Sequence, residues 1–285
     1  MKTIPIRKIT ANITDQKLSQ DFSIRKIQEM FNGRDLMQDT HIHDFFSIIA
    51  LNRGKGNHVI DFTTYKVGNC SVYFLRPGQV HQLMLDTGCT GFLLQFRKDF
   101  YYTNTKSSIL LLRRTSKNSF YQFTTASFKK PLSILSNIFQ EYTDKKENYS
   151  EVIKADLSLF FIELLRQINE DKPNNSRSYN ENRLDEFTEL LETHIATKKQ
   201  VSQYAEMLNL SPYQLNSLTK SGLGKKCSEV IDEQIILESK RYLLATSNQV
   251  KEIAYNLGYE DVSYFIRFFK KHTSYSPDSF RHNFR

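Results

Sequence analysis

The chain has 285 residues, 39% of them hydrophobic and 25% charged, with 39 Lys and Arg against 31 Asp and Glu for a formal net charge of +8. That length holds two domains, each able to bury its own core, and a basic balance suits a polyanionic partner. Three scattered cysteines, Cys70, Cys89 and Cys227, are odd in number and lack metal-ligand spacing. With no signal peptide and no apolar run near the roughly 18 residues of a membrane span, the composition argues against a disulfide framework and a membrane protein, and for a reduced, cytoplasmic one. The charge is unevenly spread: from Arg183 onward 14 basic residues stand against 13 acidic, a net of +1, while the last 21 residues, Phe265–Arg285, hold 5 basic and 1 acidic.

The first 35 or so residues show no clear element and read as a mobile arm or an extra strand. From about 38 to 100 short apolar alternations recur at Phe45–Leu51, His58–Phe62, Ser71–Leu75, Gln82–Leu85 and Phe92–Phe96. The glycine-bearing Asn52–Asn57 between the first two reads as a hairpin turn. Several short strands at this spacing favour a small barrel or jelly roll. His41 and His43 are two apart and share a face of a strand, and His81 follows the Pro77–Gly78 turn. The segments HIHDFF (His41–Phe46) and RPGQVH (Arg76–His81) resemble the two boxes of the cupin sensor domain. Metal-binding cupins add a glutamate three or four residues past the second histidine. Here Ser47 and Ile48 stand there, and Asp44 points to the other face, so the expectation is no metal and no cofactor. His41, His43 and His81 then satisfy hydrogen bonds in the barrel mouth or orient an organic effector, joined by Arg76 if that ligand is anionic. A three-histidine metal site without a carboxylate is the alternative.

Pro131–Thr143 carries Leu132, Leu135, Ile138, Phe139 and Tyr142 on one helical face, and Val152–Ile168 continues with Ile153, Leu157, Phe160, Phe161, Leu164, Leu165 and Ile168. This helical hairpin has more apolar surface than one barrel wall covers, with Phe160, Phe161 and Leu164 in excess, and is expected to form a dimer contact. Asp171–Asn182 is polar and breaker-rich and reads as a linker. The expected organisation is a sensing and dimerisation domain over 1–170, a linker over 171–182 and an all-helical domain over 183–285.

The last part describes one object twice. Val201–Lys220 and Val250–Lys270 each read as a short helix, a turn and a second helix. Ala205 and Ala254 lie 49 positions apart, as do Leu208 and Leu257, and Asn209 and Gly258; beyond the turn the offset is 50, pairing Leu215 with Phe265, Leu218 with Phe268 and Lys220 with Lys270. The second copy thus has one extra turn residue. Alanine allows two helices to cross closely, Gly and Asn tolerate positive φ, and Ser211–Pro212 and Asp261 are helix-start signals. Buried faces leave Tyr213, Asn216 and Ser217 outward in the first copy and Ser263, Ile266 and Arg267 in the second. Ser228–Leu244 between them has helical apolar spacing and, at ~1.5 Å per residue, a length of ~25 Å, suited to holding two reading helices about one DNA turn apart.

This repeat resembles the AraC family of transcriptional regulators over about Arg183–Arg285. The motif is Lys251–Arg281, in which Glu252, Ile253, Ala254, Gly258, Tyr259, Asp261, Ser263, Tyr264, Phe265, Arg267, Phe269, Lys270, Lys271, Ser276, Pro277 and Arg281 match the family pattern. Ser274 stands where the family usually has Gly, and Phe280 where it usually has Tyr. The first copy departs more: Ser217, Leu218, Thr219 and Lys220 replace Arg-x-Phe-Lys, which removes the side chain best suited to guanine and puts Thr219 in place of a buried aromatic.

The resemblance implies an α+β multidomain chain, cupin-like barrel then double helix-turn-helix, that regulates transcription rather than catalysing a reaction. Its implied partners are double-stranded DNA, a small-molecule effector and a second copy of the chain, and it is compatible with contact to RNA polymerase. Arg267 is the expected guanine reader, flanked by Ser263 and by Ile266 on a thymine methyl; Tyr213, Asn216 and Ser217 are the first-unit equivalents, with Asn216 suited to adenine. Lys220, Lys270, Lys271 and Arg281 are expected on phosphates. The strongest information in the binding site is expected in the half read by Ser263–Lys270. Two rival readings are a metal-dependent cupin enzyme tethered to DNA and a DNA-binding dimer that takes no ligand.

Overall fold

Alternating and continuous apolar runs in the first half of the chain build two sheets that share an interior. The computed structural model describes residues 6–9, 21–101, 106–168 and 179–284, and the chain divides into two units between residues 173 and 174. In the first unit the strands are β1 (Ile6–Arg7), β2 (Phe22–Lys26), β3 (Leu36–His43), β4 (Phe46–Arg53), β5 (Gly56–Ile60), β6 (Thr63–Val67), β7 (Ser71–Leu75), β8 (His81–Leu85), β9 (Thr90–Phe96) and β10 (Phe120–Gln122). One sheet runs β1-β3-β8-β5-β6 and the other β10-β7-β4-β9-β2. Apart from the parallel β1–β3 pair, every pairing is antiparallel. The result is a jelly-roll-like sandwich.

The second sheet is covered on both faces, which is why its strands read as near-continuous apolar runs. Ile49 and Leu51 of β4 turn inward to Tyr73, Leu75, Leu83 and Leu93. Phe46, Ile48 and Ala50 of the same strand turn outward to two helices, α3 (Thr125–Asp144) and α4 (Tyr149–Ile168). Between β9 and β10 lie α1 (Lys98–Tyr101) and α2 (Lys106–Ser116). Helix α3 opens with a capping box in which Thr124 Oγ1 accepts from Ser127 N–H at 3.1 Å. It begins six residues before Pro131, which lies inside the helix rather than at its start.

Two expectations change, and one of two alternatives is met. Asn52–Asn57 is not a hairpin: it carries the chain from β4 in one sheet to β5 in the other, and Gly56 is there because a Cβ would strike the Met84 carbonyl. The hairpin is the next turn, where Ile60 pairs with Thr63 and Asp61 and Phe62 both have positive φ, 44° and 70°. That is the two-residue loop a twisted hairpin favours, but Asp-Phe lacks the glycine that announces it. Within the first 35 residues β2 is an added strand, pairing with β9 from Phe22↔Phe96 to Lys26↔Phe92. Finally, Leu157, Phe160, Phe161 and Leu164 are not surplus surface. All four are fully buried in the core shared by α3, α4 and the second sheet, with Phe161 packed on Phe74, Phe96 and Tyr101.

The second unit is all helical: α5 (Tyr179–His194), α6 (Val201–Met207), α7 (Pro212–Leu223), α8 (Cys227–Ala245), α9 (Val250–Asn256), α10 (Val262–Thr273) and α11 (Pro277–Phe284). Helix α5 starts inside the stretch expected to be linker, because Phe187 and Leu191 give it a buried face; the Phe187 ring meets Tyr204 edge-on at 5.7 Å. Residues 171–178 of that stretch lie outside the described residues. No helix among the described residues is long and apolar enough to cross a membrane.

Candidate DNA interface and sensor cavity

The two helix-turn-helix units are α6–α7 and α9–α10, and they repeat down to single hydrogen bonds. In the first turn Asn209 N–H donates to Glu206 O at 2.9 Å and Leu210 N–H to Ala205 O at 2.8 Å; in the second Gly258 N–H donates to Tyr255 O at 2.8 Å and Tyr259 N–H to Ala254 O at 2.9 Å. Asn209 and Gly258 carry the positive φ expected of them, 51° and 73°. Gly258 is constrained twice, since a Cβ there would also strike the Ala196 carbonyl. Ala205 and Ala254 are buried at the crossings. Ser211 Oγ accepts from Gln214 N–H at 3.2 Å and Asp261 Oδ1 from Ser263 N–H at 2.7 Å, so both expected residues cap the second helices. The extra residue of the second copy lies between Tyr259 and Asp261, and Tyr259 is buried against Phe265 at 5.3 Å.

Phe265 and Phe269 face the interior with no exposed area. Ser263, Arg267 and Lys270 are exposed at positions i, i+4 and i+7 of α10, one side of a helix. Arg267 is 69% exposed and its Nη2 lies 3.8 Å from Asp261 Oδ2, an exposed pair that holds the side chain only weakly. Lys271 is exposed beside them. Fifty positions earlier Tyr213, Ser217 and Lys220 form the same exposed row on α7, with Tyr213 83% exposed.

Three expected DNA contacts are placed differently. Asn216 is half-buried: its Nδ2 donates to Pro212 O at 3.0 Å and its Oδ1 accepts from Cys227 N–H at 3.0 Å, so it satisfies the start of α8. Ile266, its counterpart fifty positions on, is likewise half-buried. Arg281 donates from Nε to Leu243 O at 2.9 Å and from Nη2 to Asn248 O at 2.6 Å. Its guanidinium ties α11 to the end of α8 rather than standing free for phosphate. Thr219, in place of an aromatic, is fully buried and donates to Asn216 O at 3.2 Å.

In the sandwich, β3 and β8 bring His41 and His81 opposite each other as Cα partners, and His43 lies two residues on. All three are buried, at 1%, 5% and 2% exposure. His43 Nε2 is 3.0 Å from both His41 Nε2 and His81 Nε2, and His41 Nδ1 is 2.7 Å from Asp39 O. His58 Nε2 is 3.1 Å from His81 Nδ1; burial, with His41 nearby, lowers its pKa to about 3, so it is neutral. His41, His43 and His81 edge a cavity of about 50 Å³, room for about three or four waters. Lys8, Arg25 and Gln38 also line it, as does Gln95, whose buried Oε1 has no hydrogen-bond partner. Burial lowers the Arg25 pKa. Arg76 is not among the lining residues; the turn orients its backbone, with Arg76 N–H donating to Gln79 Oε1 at 2.7 Å.

Residues 204–283 match a family model described as a helix-turn-helix domain, and residues 30–176 match one described as an AraC-like ligand binding domain. The chain belongs to the AraC family of transcriptional regulators. Members regulate transcription through DNA and are not enzymes, so the reading as a DNA-tethered cupin enzyme is set aside. The chain is 24% identical over 243 residues to the HTH-type transcriptional activator RhaS of Enterobacter sp. (strain 638), covering 85% of this chain and 86% of that one. Among solved structures it is similar to unsaturated fatty acid bound ToxT from Vibrio cholerae, at 18% identity and a TM-score of 0.43, covering 92% and 95% of the two chains. It is also similar to the DNA-binding domain of AdpA in complex with a target DNA, at 20% identity and a TM-score of 0.34, covering 36% and 93%.

Sequence reasoning missed four polar residues of this AraC-type sensor half: Arg25, His58, Gln95 and Lys8. His58 and Gln95 lie on runs that were read as strands, at positions whose parity with the interior-facing Ile60 and Leu93 gives the inward face. Lys8 and Arg25 sit in the stretch for which no element was assigned.

Position 274 tests the backbone of the second unit. Ser274 ends α10 at φ 65°, as Gly224 ends α7 at φ 70°. Ser274→Gly is expected to raise unfolding stability by about 0.5–1 kcal/mol, because a non-glycine residue in the left-handed region is strained. Gly258→Ala is expected to lower it by about 1–3 kcal/mol or more. Denaturant unfolding of the full chain checks both; opposite signs would show that these turns do not carry the stated strain.

Proposed function

We propose that this regulator reads its operator chiefly through α10, holds phosphates with Lys220, Lys270 and Lys271, dimerises through its sensor domain and responds to a small anionic effector in the sandwich cavity. The observation that carries the reading is the exposed row of Ser263, Arg267 and Lys270 opposite the buried Phe265 and Phe269. A guanidinium in a major groove bonds guanine O6 and N7 together, whereas the equivalent Ser217 offers one short hydroxyl. Tyr213 and Ser217 therefore contribute less discrimination than Ser263 and Arg267. The lysines add affinity that is indifferent to sequence. The effector reading is supported by the basic side chains of Lys8 and Arg25, which line a small cavity of mixed polar and apolar character.

The dimer contact is assigned to a face of α4 other than the one expected. Val152, Ala155, Leu159 and Ile162 recur at helical spacing and are exposed, Leu159 at 51%. An apolar row of this kind on a helix otherwise packed into its own domain suits a second copy of the same row.

Replacing Arg267 by Ala is expected to weaken specific binding about 5- to 150-fold, the equivalent of about 1–3 kcal/mol, and to relax preference at one base pair. Titrations against the operator and random DNA read this directly; an equal loss on both refutes base reading. For the dimer, Leu159→Glu combined with Ile162→Glu should give a folded monomer by light scattering, whereas Leu157→Glu should unfold the sensor domain by burying a charge. A double variant that stays dimeric, or a wild-type chain monomeric at tens of micromolar, removes α4 from the interface.

A further inference from the structure

We propose that His41, His43 and His81 hold one divalent transition-metal ion of the Zn(II) class through their three Nε2 atoms, leaving a fourth position open to the sandwich cavity. The candidate ligand atoms all lie within 4.8 Å of one another, and all three residues are buried. Tetrahedral Zn–N bonds of about 2.0–2.1 Å put neighbouring ligand nitrogens about 3.3 Å apart. The two 3.0 Å spacings about His43 Nε2 are close to that edge.

Hydrogen bonding among the rings accounts for this convergence poorly. A ring nitrogen carries either one N–H or one in-plane lone pair, so His43 Nε2 serves one of its two neighbours well. The Asp39 carbonyl can only accept, so His41 Nδ1 bears the proton, which leaves the Nε2 lone pair aimed at His43 Nε2. A metal ion turns the same lone pairs into bonds.

The surrounding shell has the form a metal-binding imidazole needs. The Asp39 carbonyl fixes the His41 tautomer, and His58 Nε2 stands 3.1 Å from His81 Nδ1. The His43 ring is stacked on Phe45 with centroids 4.5 Å apart. Such partners orient ligands and raise affinity. Imidazole donors suit Zn, Cu, Fe and Ni over Mg or Ca. With three neutral ligands the site keeps its full dipositive charge, so the fourth position favours water or an anionic oxygen donor, and the unpartnered Gln95 Oε1 lines the same cavity. The missing carboxylate thus changes the charge and openness of the site without removing it. Metal binding is measured with no effector present and stands apart from the effector reading.

The test uses the untagged full chain, stripped with a chelator and desalted after Zn(II) addition. The expected result is one zinc per chain by elemental analysis, and with Co(II) the visible bands of tetrahedral nitrogen coordination, bleached by Zn(II). Changes in a second shell cost about 10- to 100-fold in metal affinity, so His43→Gln and His81→Gln should each weaken Zn(II) binding more than ~100-fold. His282→Gln on the exposed face of α11 should leave it unchanged. Circular dichroism and thermal melting of the variants report their folding, and if neither folds, the wild-type Co(II) spectrum decides. A Co(II) spectrum identical to the aquo ion, zinc lost on desalting, or folded His43 and His81 variants that bind as wild type would each overturn the proposal.

Discussion

The spacing between the two reading helices rests on how α8 is held at its ends. At its start, the Asn216 side chain of α7 takes the N–H of Cys227; at its finish, Arg281 of α11 donates to the Leu243 carbonyl and, beyond the helix, to Asn248. Helix ends leave backbone groups without intrahelical partners, and these two side chains come from the first unit and from α11, the helix that follows the second unit. Each such bond contributes about 0.5–1.5 kcal/mol, more where a charged donor is involved. Between the ends, Ile231, Ile235, Leu243 and Leu244 are buried, so the helix cannot slide without opening both units. Its 19 residues at ~1.5 Å each make a spacer of about 28 Å, close to the ~34 Å repeat of duplex DNA.

Once α8 is fixed, discrimination is a matter of which side chains the exposed rows present. Tyr213–Ser217–Lys220 and Ser263–Arg267–Lys270 occupy equivalent places, but only the second has a guanidinium. The net charge of this half is near zero, so on the proposed reading the attraction for a polyanion is concentrated where Lys270 and Lys271 lie beside Arg267. Acidic residues elsewhere limit non-specific binding. The duplication thus yields two units of equal geometry and unequal chemistry.

What could be read in the sequence follows the range of the interactions involved. The repeat was legible because its determinants are local: a small residue at a crossing, a left-handed residue in the turn, a cap two or three residues from the N–H it satisfies. Asn216 and Arg281 were assigned to DNA because their partners lie 11 and 38 positions away, and a polar residue on a reading helix carries no mark that its hydrogen bonds are already committed. The α4 stripe was misread for a related reason. Periodicity shows that a helix has more than one apolar face but not which face meets its own sheet. The Asp61–Phe62 turn escaped because the required positive φ is adopted by residues that rarely take it. In the sensor half, the facing of His41 and His43 was legible from their spacing, while their approach to His81, His58 and Gln95 depends on strand pairing that no local pattern records.

The most direct test of this account concerns the register that α8 imposes. On an operator selected from random DNA, about five base pairs are inserted between the two recognised segments, which turns one of them to the opposite face of the duplex. A spacer fixed at both ends cannot follow, so binding by the full chain is expected to fall to what Arg267 and its neighbours give on a single segment. Undiminished affinity for the lengthened site would contradict the claim that α8 sets the distance between the readers.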